Sequence, residues 1–335
     1  MTDHVRWGIL GASRFALTKM GPALHLARGS RVAALATRDR ERAAPFEAAF
    51  GPLRVHGGAD AYHALLADDG VDAVYVPLPH TLHVEWALRA LEAGKPVLVE
   101  KPVAMRADAI APLVAARDRT GLLCAEGYMI VHHPQWQRVR ALLAEGAVGR
   151  LRHVDAVFSY DNSADPGNIR NRAATGGGAL PDIGVYTLGS TRWATGAEPV
   201  EITGALIDWE GGCDVLSRVG ARMEGPGGAF TAHWVNSMRL MPEQFILFHG
   251  SEGLIRLTAP WNPQAFGEAR MEWRSAAHGH RVETWPATNQ YVLQVERFVE
   301  ALGGGAPFPW TLEDARGTQR AIDMAYDAAG GRPEG

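Results

Sequence analysis

At 335 residues the chain exceeds one typical domain and is short for three, so two domains with separate cores are expected. Apolar residues make up 47% of it, and a formal net charge of −4 without any dense Lys/Arg run leaves no footprint for nucleic acid or an anionic membrane surface. Two cysteines, Cys124 and Cys213, lie far apart, which argues against a disulfide framework and for reduced thiols in a cytoplasmic protein.

The chain enters a strand-like run at Val5–Leu10, leaving no room for a signal peptide, and no apolar run reaches bilayer-spanning length. The first part then alternates short apolar runs with amphipathic stretches. Candidate strands are Val5–Leu10, Arg31–Thr37, Ala73–Val76, Val97–Val99 and Leu122–Ala125, a rhythm that predicts βαβ units around a doubly wound parallel sheet. Between the third and fourth, Val84, Ala87, Leu88 and Leu91 make one apolar stripe on a helix ended by Gly94. After about residue 126 the texture changes to one helix near Pro134–Glu145 and β-rich runs at Leu151–Tyr160, Glu201–Trp209, Ala229–Asn236 and Gln244–His249. Helical patterns follow around Asn289–Leu302 and Thr311–Ala328. The expected fold is therefore α/β: a parallel-sheet domain over residues 1–126, and an α+β domain over 127–335 built on a large, mostly antiparallel open sheet. The last helix, about 311–328, is expected to pack back on the first domain.

The first strand runs into Gly8-Ile9-Leu10-Gly11-Ala12-Ser13-Arg14-Phe15-Ala16, a tight turn opening a helix, where backbone N–H groups can receive a pyrophosphate. This is a Rossmann-type dinucleotide fingerprint with Ser13 in place of the middle glycine, its hydroxyl free to donate to a phosphate oxygen. Gly8, Gly11, Ala12, Ser13, Arg14 and Phe15 are the candidate contacts; the plain alternative is a glycine turn between strand and helix. The second strand ends Ala36-Thr37-Arg38, and Thr37 with Arg38 suits a ribose 2′-phosphate, so NADP(H) is favoured. Asp39 next door keeps NAD(H) possible, with Arg38 then merely facing solvent.

Val97-Leu98-Val99 delivers Glu100-Lys101-Pro102 at the carboxyl end of a parallel strand, where open α/β sheets bind their ligands. Pro102 biases Lys101 away from helical geometry. On this tripeptide alone a solvated Glu-Lys turn explains as much as a catalytic lysine. Later, Gly176–Gly178 leads into Pro181, a suitable first helical residue, and Asp182 and Tyr186 at i, i+4 then share a helix face. Asp182 in a first turn is also an ordinary helix-stabilising acid. Trp193, further along, reads as core.

Glu100-Lys101-Pro102, preceded by Tyr75-Val76-Pro77-Leu78-Pro79-His80-Thr81-Leu82-His83, resembles the glucose-fructose oxidoreductase / inositol dehydrogenase / MocA family, and the resemblance covers nearly the whole chain. It implies a catalytic Lys101, with Glu100 at the cofactor and Pro77, Leu78, Pro79, His80 and His83 lining nicotinamide and ribose. Asp182-Ile183-Gly184-Val185-Tyr186, after the glycine run, is similar to the family segment that supplies the remaining catalytic groups. Glu126-Gly127-Tyr128-Met129-Ile130-Val131-His132-His133-Pro134 resembles a family segment in which polar residues commonly stand at Ile130 and Val131. Tyr128 is accordingly a substrate candidate, as are Tyr160, Asn168 and Arg170 by likeness to the sugar and dihydrodiol dehydrogenase branches. In such a site a Lys101–Tyr186 acid/base pair moves the hydroxyl proton while hydride passes to or from the nicotinamide.

The substrate expected is a small polyhydroxylated molecule: aldose, ketosugar, inositol or trans-dihydrodiol. Paired histidines (His80/His83, His132/His133, His278/His280) lack a third ligand at a familiar spacing, so no metal is assigned. A homodimer or homotetramer through the second-domain sheet is expected by resemblance. Two other readings keep the same fold: a cofactor-sensing regulator without turnover, and an NAD-dependent glycosidase.

Overall fold

The computed structural model describes residues 4–332, which fall into two compact units. The first comprises the chain up to Ala104, Asp108–Met129 and Asn289–Ala315; the second comprises Met105–Ala107, Ile130–Thr288 and the chain from Arg316.

The first unit holds six parallel strands: β1 (Val5–Leu10), β2 (Ser30–Thr37), β3 (Arg54–Gly57), β4 (Ala73–Val76), β5 (Val97–Glu100) and β6 (Cys124–Gly127). Their order is β3-β2-β1-β4-β5-β6, so the chain winds outward from β1 to one edge and then from β4 to the other. β4 is buried throughout, and Val97, Leu98 and Val99 of β5 have no exposed surface, as strands covered on both faces require. The helices between them are α1 (Gly21–Leu26), α2 (Ala44–Phe50), α3 (Ala61–Leu66), α4 (His83–Glu92) and α5 (Ala111–Thr120). In α4, Ala87 and Leu91 are buried, and Val84 and Leu88 pack beside them on the core, as the stripe predicts. β3 escaped the sequence reading because it is four residues long and carries no fully buried side chain.

The second unit is built on eight strands: β7 (Leu151–Asp161), β8 (Glu198–Glu210), β9 (Cys213–Gly225), β10 (Gly228–Ser237), β11 (Arg239–Gly250), β12 (Gly253–Leu257), β13 (Arg270–Ser275) and β14 (Gly279–Thr284). They lie in the order β14-β13-β12-β11-β7-β10-β9-β8, antiparallel except where β7 meets β10. With α6 (Pro134–Ala144), α7 (Val185–Thr195) and the short α8 (Pro263–Phe266), this is the expected α+β unit on an open sheet. α7 is buried from Val185 to Ala194 and lies against β7 and β10, where Thr187 donates to Asn236 Oδ1 at 2.8 Å and Trp234 donates to Thr191 Oγ1 at 3.0 Å. Those two bonds satisfy polar groups that burial would otherwise penalise.

Two helices close the chain, α9 (Gln290–Leu302) and α10 (Leu312–Ala328). The break expected near residue 126 falls close to the division after Met129, but Asn289–Ala315 groups with the first unit, and Leu312 and Ala315 join its apolar core.

Candidate active site

Gly11 follows β1, with a φ of +100° that favours glycine, and a Cβ there would stand 2.9 Å from Leu78 Cδ2, so the leucine would have to shift. Ser13 donates its N–H to Gly11 O (3.0 Å) and accepts the N–H of Ala16 on its hydroxyl (3.1 Å), which leaves the hydroxyl proton for a ligand. Ala12 is buried, and its carbonyl accepts from Arg42 at 2.8 Å, an arginine that no local pattern singled out. Arg14 is exposed, and Phe15 meets the Tyr291 ring edge-on at 5.8 Å. Gly8 lies inside β1 against Leu65 and Val71 and is a packing glycine.

At the end of β2 the buried Thr37 donates its hydroxyl to Asp39 O (2.9 Å), and Asp39 Oδ1 accepts the N–H of Glu41 (3.0 Å). The acid at this position caps the following short helix through one oxygen, while Arg38 stands exposed beside it. A glycine cradle after β1 and an available cation after β2 fit a dinucleotide carrying a 2′-phosphate.

β5 delivers Lys101, half-buried, at the same end of the sheet as Gly11 and two strands away, about 10 Å across the ladder. The Lys101–Pro102 bond is cis. Burial pushes the Glu100 carboxyl up to about 7, against the opposing pull of the Tyr75 hydroxyl, which donates to it at 2.6 Å, and of the Lys101 charge. Glu126, on the neighbouring β6, is also pushed up by burial; it accepts from Val103 N (2.8 Å) and from the Trp310 indole (2.7 Å). Sequence reasoning quoted Glu126 without a role and missed Trp310 altogether, since its partner is far away in the chain.

Two of the expected contacts in this unit are corrected. Tyr128 has no exposed surface and stacks on Trp310 at 4.2 Å, so it is a packing residue and not a substrate contact. His83 is likewise fully buried, with Nδ1 2.8 Å from Pro102 O and Nε2 2.8 Å from Leu78 O, so its polar atoms face backbone and not a nicotinamide. Pro77, Leu78 and His80 are buried and Pro79 is half-buried.

In the second unit the glycine run Gly176–Gly178 leads into a wide π-type turn, Leu180–Gly184, that continues directly into α7. Asp182 therefore lies on the turn and Tyr186 on α7, both nearly buried, rather than on one regular α-helix face. Asp182 Oδ2 stands 2.9 Å from Arg170 Nε and accepts the Tyr160 hydroxyl at 2.6 Å. The Asp182 charge drives Arg170 further up. Burial, then Asp182, holds the Tyr160 phenol well above its ordinary range, so Tyr160 keeps its proton as a donor. Thus Arg170 and Tyr160, expected as substrate contacts, both bond Asp182 in this structure, Arg170 through Nε. Asn168, the third, is a loop residue: its side chain accepts from Arg170 N and donates to Asp165. Tyr186 meets Phe158 at 5.9 Å, and Phe158 stacks on Trp261 at 5.0 Å. Ile130 and Val131 are wholly buried, and Trp193 is core beneath the Arg140 guanidinium.

The turn carrying Asp182 is itself held from β9. The buried Asp214 accepts from Leu180 N at 2.6 Å on one oxygen and from the Tyr326 hydroxyl at 2.7 Å on the other, and burial pushes its carboxyl up to about 7.

Among the described residues no group of three His, Cys, Asp or Glu side chains is placed to hold a metal, and no helix is long and apolar enough to cross a membrane. The family description "oxidoreductase family, NAD-binding Rossmann fold" matches residues 5–128, and "GFO/IDH/MocA C-terminal domain" matches residues 136–256. The chain is 35% identical to a dTDP-3,4-didehydro-2,6-dideoxy-alpha-D-glucose 3-reductase of Actinomadura kijaniata, over 94% of this chain and 92% of the relative. It is 30% identical to a D-xylose 1-dehydrogenase (NADP(+)) of Haloferax volcanii, over 96% and 97%. Among solved structures, a 3-ketoreductase from Actinomadura kijaniata in complex with TDP-benzene and NADP superposes with a TM-score of 0.86 at 33% identity, covering 97% of this chain and 98% of that one. The two family matches together span most of the chain, the relatives cover nearly all of it, and the chain belongs to the Gfo/Idh/MocA family of oxidoreductases.

Proposed function

We propose that this NADP(H)-dependent oxidoreductase interconverts a hydroxyl and a keto group on a carbon of a sugar-type substrate, with Lys101, Asp182 and Tyr186 as its reacting residues. The observation that carries the reading is the placement of Lys101 on the cofactor end of the first sheet, two strands from the glycine cradle, a span that a bound dinucleotide bridges. Gly11, Ala12, Ser13 and Arg38 would hold the phosphates, and Pro77, Leu78, Pro79, His80 and Glu100 would border the nicotinamide end. When bound, the reduced cofactor supplies hydride to the carbonyl carbon.

The protein's own part is electrostatic and protonic. The Lys101 ammonium stabilises negative charge developing on the substrate oxygen, and the Tyr186 hydroxyl delivers the proton. Asp182, fixed by Arg170 and Tyr160, sets the charge around Tyr186, and the Tyr160 hydroxyl donates to Asp182. Solved variants of the Actinomadura ketoreductase change a lysine and a tyrosine, the two residue types paired in this reading.

The relatives include a reductase of a nucleotide-linked ketosugar and a dehydrogenase of a free aldose. A panel decides between them: D-xylose, myo-inositol, 1,5-anhydrofructose and a dTDP-linked 3-ketosugar, each followed by nicotinamide absorbance in both directions with NADP(H) and NAD(H). Turnover of at least one sugar with NADP(H) preferred is the expected result. Cofactor binding without turnover on any of the four would replace the enzyme with a sensor.

A further inference from the structure

We infer that His83 is a positioning residue for the catalytic turn, tying the carbonyl that follows Lys101 to the segment that flanks the nicotinamide end of the cofactor site. The inference rests on the reading of Lys101 as catalytic.

His83 opens α4 immediately after the short 3-10 turn His80–Leu82. Its ring has no exposed surface, and its two nitrogens stand at 2.8 Å from Leu78 O and from Pro102 O. Those carbonyls belong to separate pieces of the first unit. Leu78 follows β4 and places its Cδ2 2.9 Å from where a Cβ on Gly11 would stand; Pro102 follows β5 and is bonded directly to Lys101. One imidazole therefore links the glycine cradle, the Pro77–Pro79 segment and the Lys101 turn in an unbroken chain of contacts.

The same Pro102–Val103 peptide is also held at its opposite edge, since Val103 N donates to the buried Glu126. With Pro102 O and Val103 N both fixed, the backbone on the carboxyl side of Lys101 has little freedom left, which is what aiming a lysine at a reacting oxygen requires. Two carbonyls facing one ring favour the imidazolium, whereas burial and the nearby Lys101 charge push His83 below its ordinary pKa. Burial is the larger influence. The neutral ring hydrogen-bonds only one of the two carbonyls, and a bond to each at once takes the imidazolium, so the tie depends on the ring's proton as well as on its shape.

The experiment compares wild type with His83→Phe, which keeps a ring and loses both polar contacts, and His83→Gln, which keeps one donor. NADPH affinity is measured by fluorescence titration, and turnover is expressed per NADPH-binding site with whichever of the four panel sugars reacts fastest. A purely structural histidine would lower the number of binding sites and leave the rate per site unchanged. The positioning role predicts that His83→Phe loses about 10- to 100-fold in kcat per site, the scale set by a displacement of about 1 Å, with His83→Gln intermediate. His83→Phe at a rate per site within about two-fold of wild type overturns the inference; should that variant not fold, the same result for His83→Gln does so. Lys101→Ala is assayed alongside. If it binds NADPH but turns over hundreds of times more slowly while His83→Phe runs at full rate, only the positioning role fails; if Lys101→Ala itself runs at full rate, the lysine reading fails and takes this inference with it.

Discussion

In the proposed reading, cofactor selectivity rests on three consecutive residues and on what each is already bonded to. Asp39 looks in sequence like the acid that would grip a ribose diol, but its carboxylate accepts the Glu41 N–H, and leaving that cap costs about 1 kcal/mol. Thr37 is buried and spends its hydroxyl on the Asp39 carbonyl. Arg38 remains exposed with a charge to offer. A charge-assisted contact of this kind contributes roughly 1.5–3 kcal/mol, so Arg38→Ala is expected to raise the KM for NADP about 10- to 100-fold. The KM for NAD should move no more than about two- to three-fold. Equal effects on the two cofactors would sink the assignment and leave Arg38 as an ordinary surface arginine. Arg42, bonded to the carbonyl of Ala12, shows how a second cation reaches the same loop from the next element without any spacing rule to announce it.

Among the elements, what could be read from sequence was whatever is written locally. The buried strands β4 and β5 and the stripe of α4 are continuous patterns, and the structure keeps them. β9 is as long as β8 but opens on five consecutive buried residues, including Asp214 and Ser217, and a buried acid inside a strand does not look like strand core until its partners are known. The same limit governs the site. Lys101, Asp182 and Tyr186 sit in compact motifs, whereas the Tyr160–Asp182–Arg170 cluster and the Glu126–Trp310 bond join residues 12 to 184 positions apart. Gly178 is an element-scale case: in sequence it does no more than lead into Pro181, but it is a site of close approach. Its φ is +136°, and a Cβ there would fall 2.0 Å from Asp214 Oδ1, the carboxylate that holds Leu180 N. Gly178→Ala must therefore both strain the backbone and displace Asp214 from the start of the Asp182 turn. The expected loss is about 1–3 kcal/mol in urea denaturation. A variant within about 0.5 kcal/mol of wild type would mean that the turn accommodates the methyl group and that the Asp214 staple is dispensable.

For the whole molecule, the response of stability to pH follows from titratable groups that burial shifts in opposite directions. Asp214 is raised from 3.8 to about 7. Between those values the folded protein holds a proton that the unfolded chain has released, so stability falls as pH rises through that window. Glu100, raised from 4.5 to about 7, acts in the same sense. His133 is lowered from 6.5 to about 4 by burial, with Nδ1 accepting from Gln135 N. In its window the unfolded chain binds the extra proton, so stability falls as pH drops from 6.5 toward 4, and His83, also lowered by burial, adds to that. The two slopes oppose each other across nearly the same range, and the parent protein is expected to show a broad plateau of melting temperature between about pH 5 and 7. Single substitutions should expose the slopes it hides. Asp214→Asn removes the penalty of a buried anion, so its melting temperature relative to wild type should improve steadily from pH 4 to pH 7. His133→Asn keeps a side chain able to cap α6 and removes the buried base, so its advantage should grow in the other direction, from pH 6.5 down to 4. Calorimetric melts of the three proteins in matched ionic strength test both at once: differences that are flat with pH, or that share a sign of slope, would show that these buried groups do not titrate as their surroundings dictate.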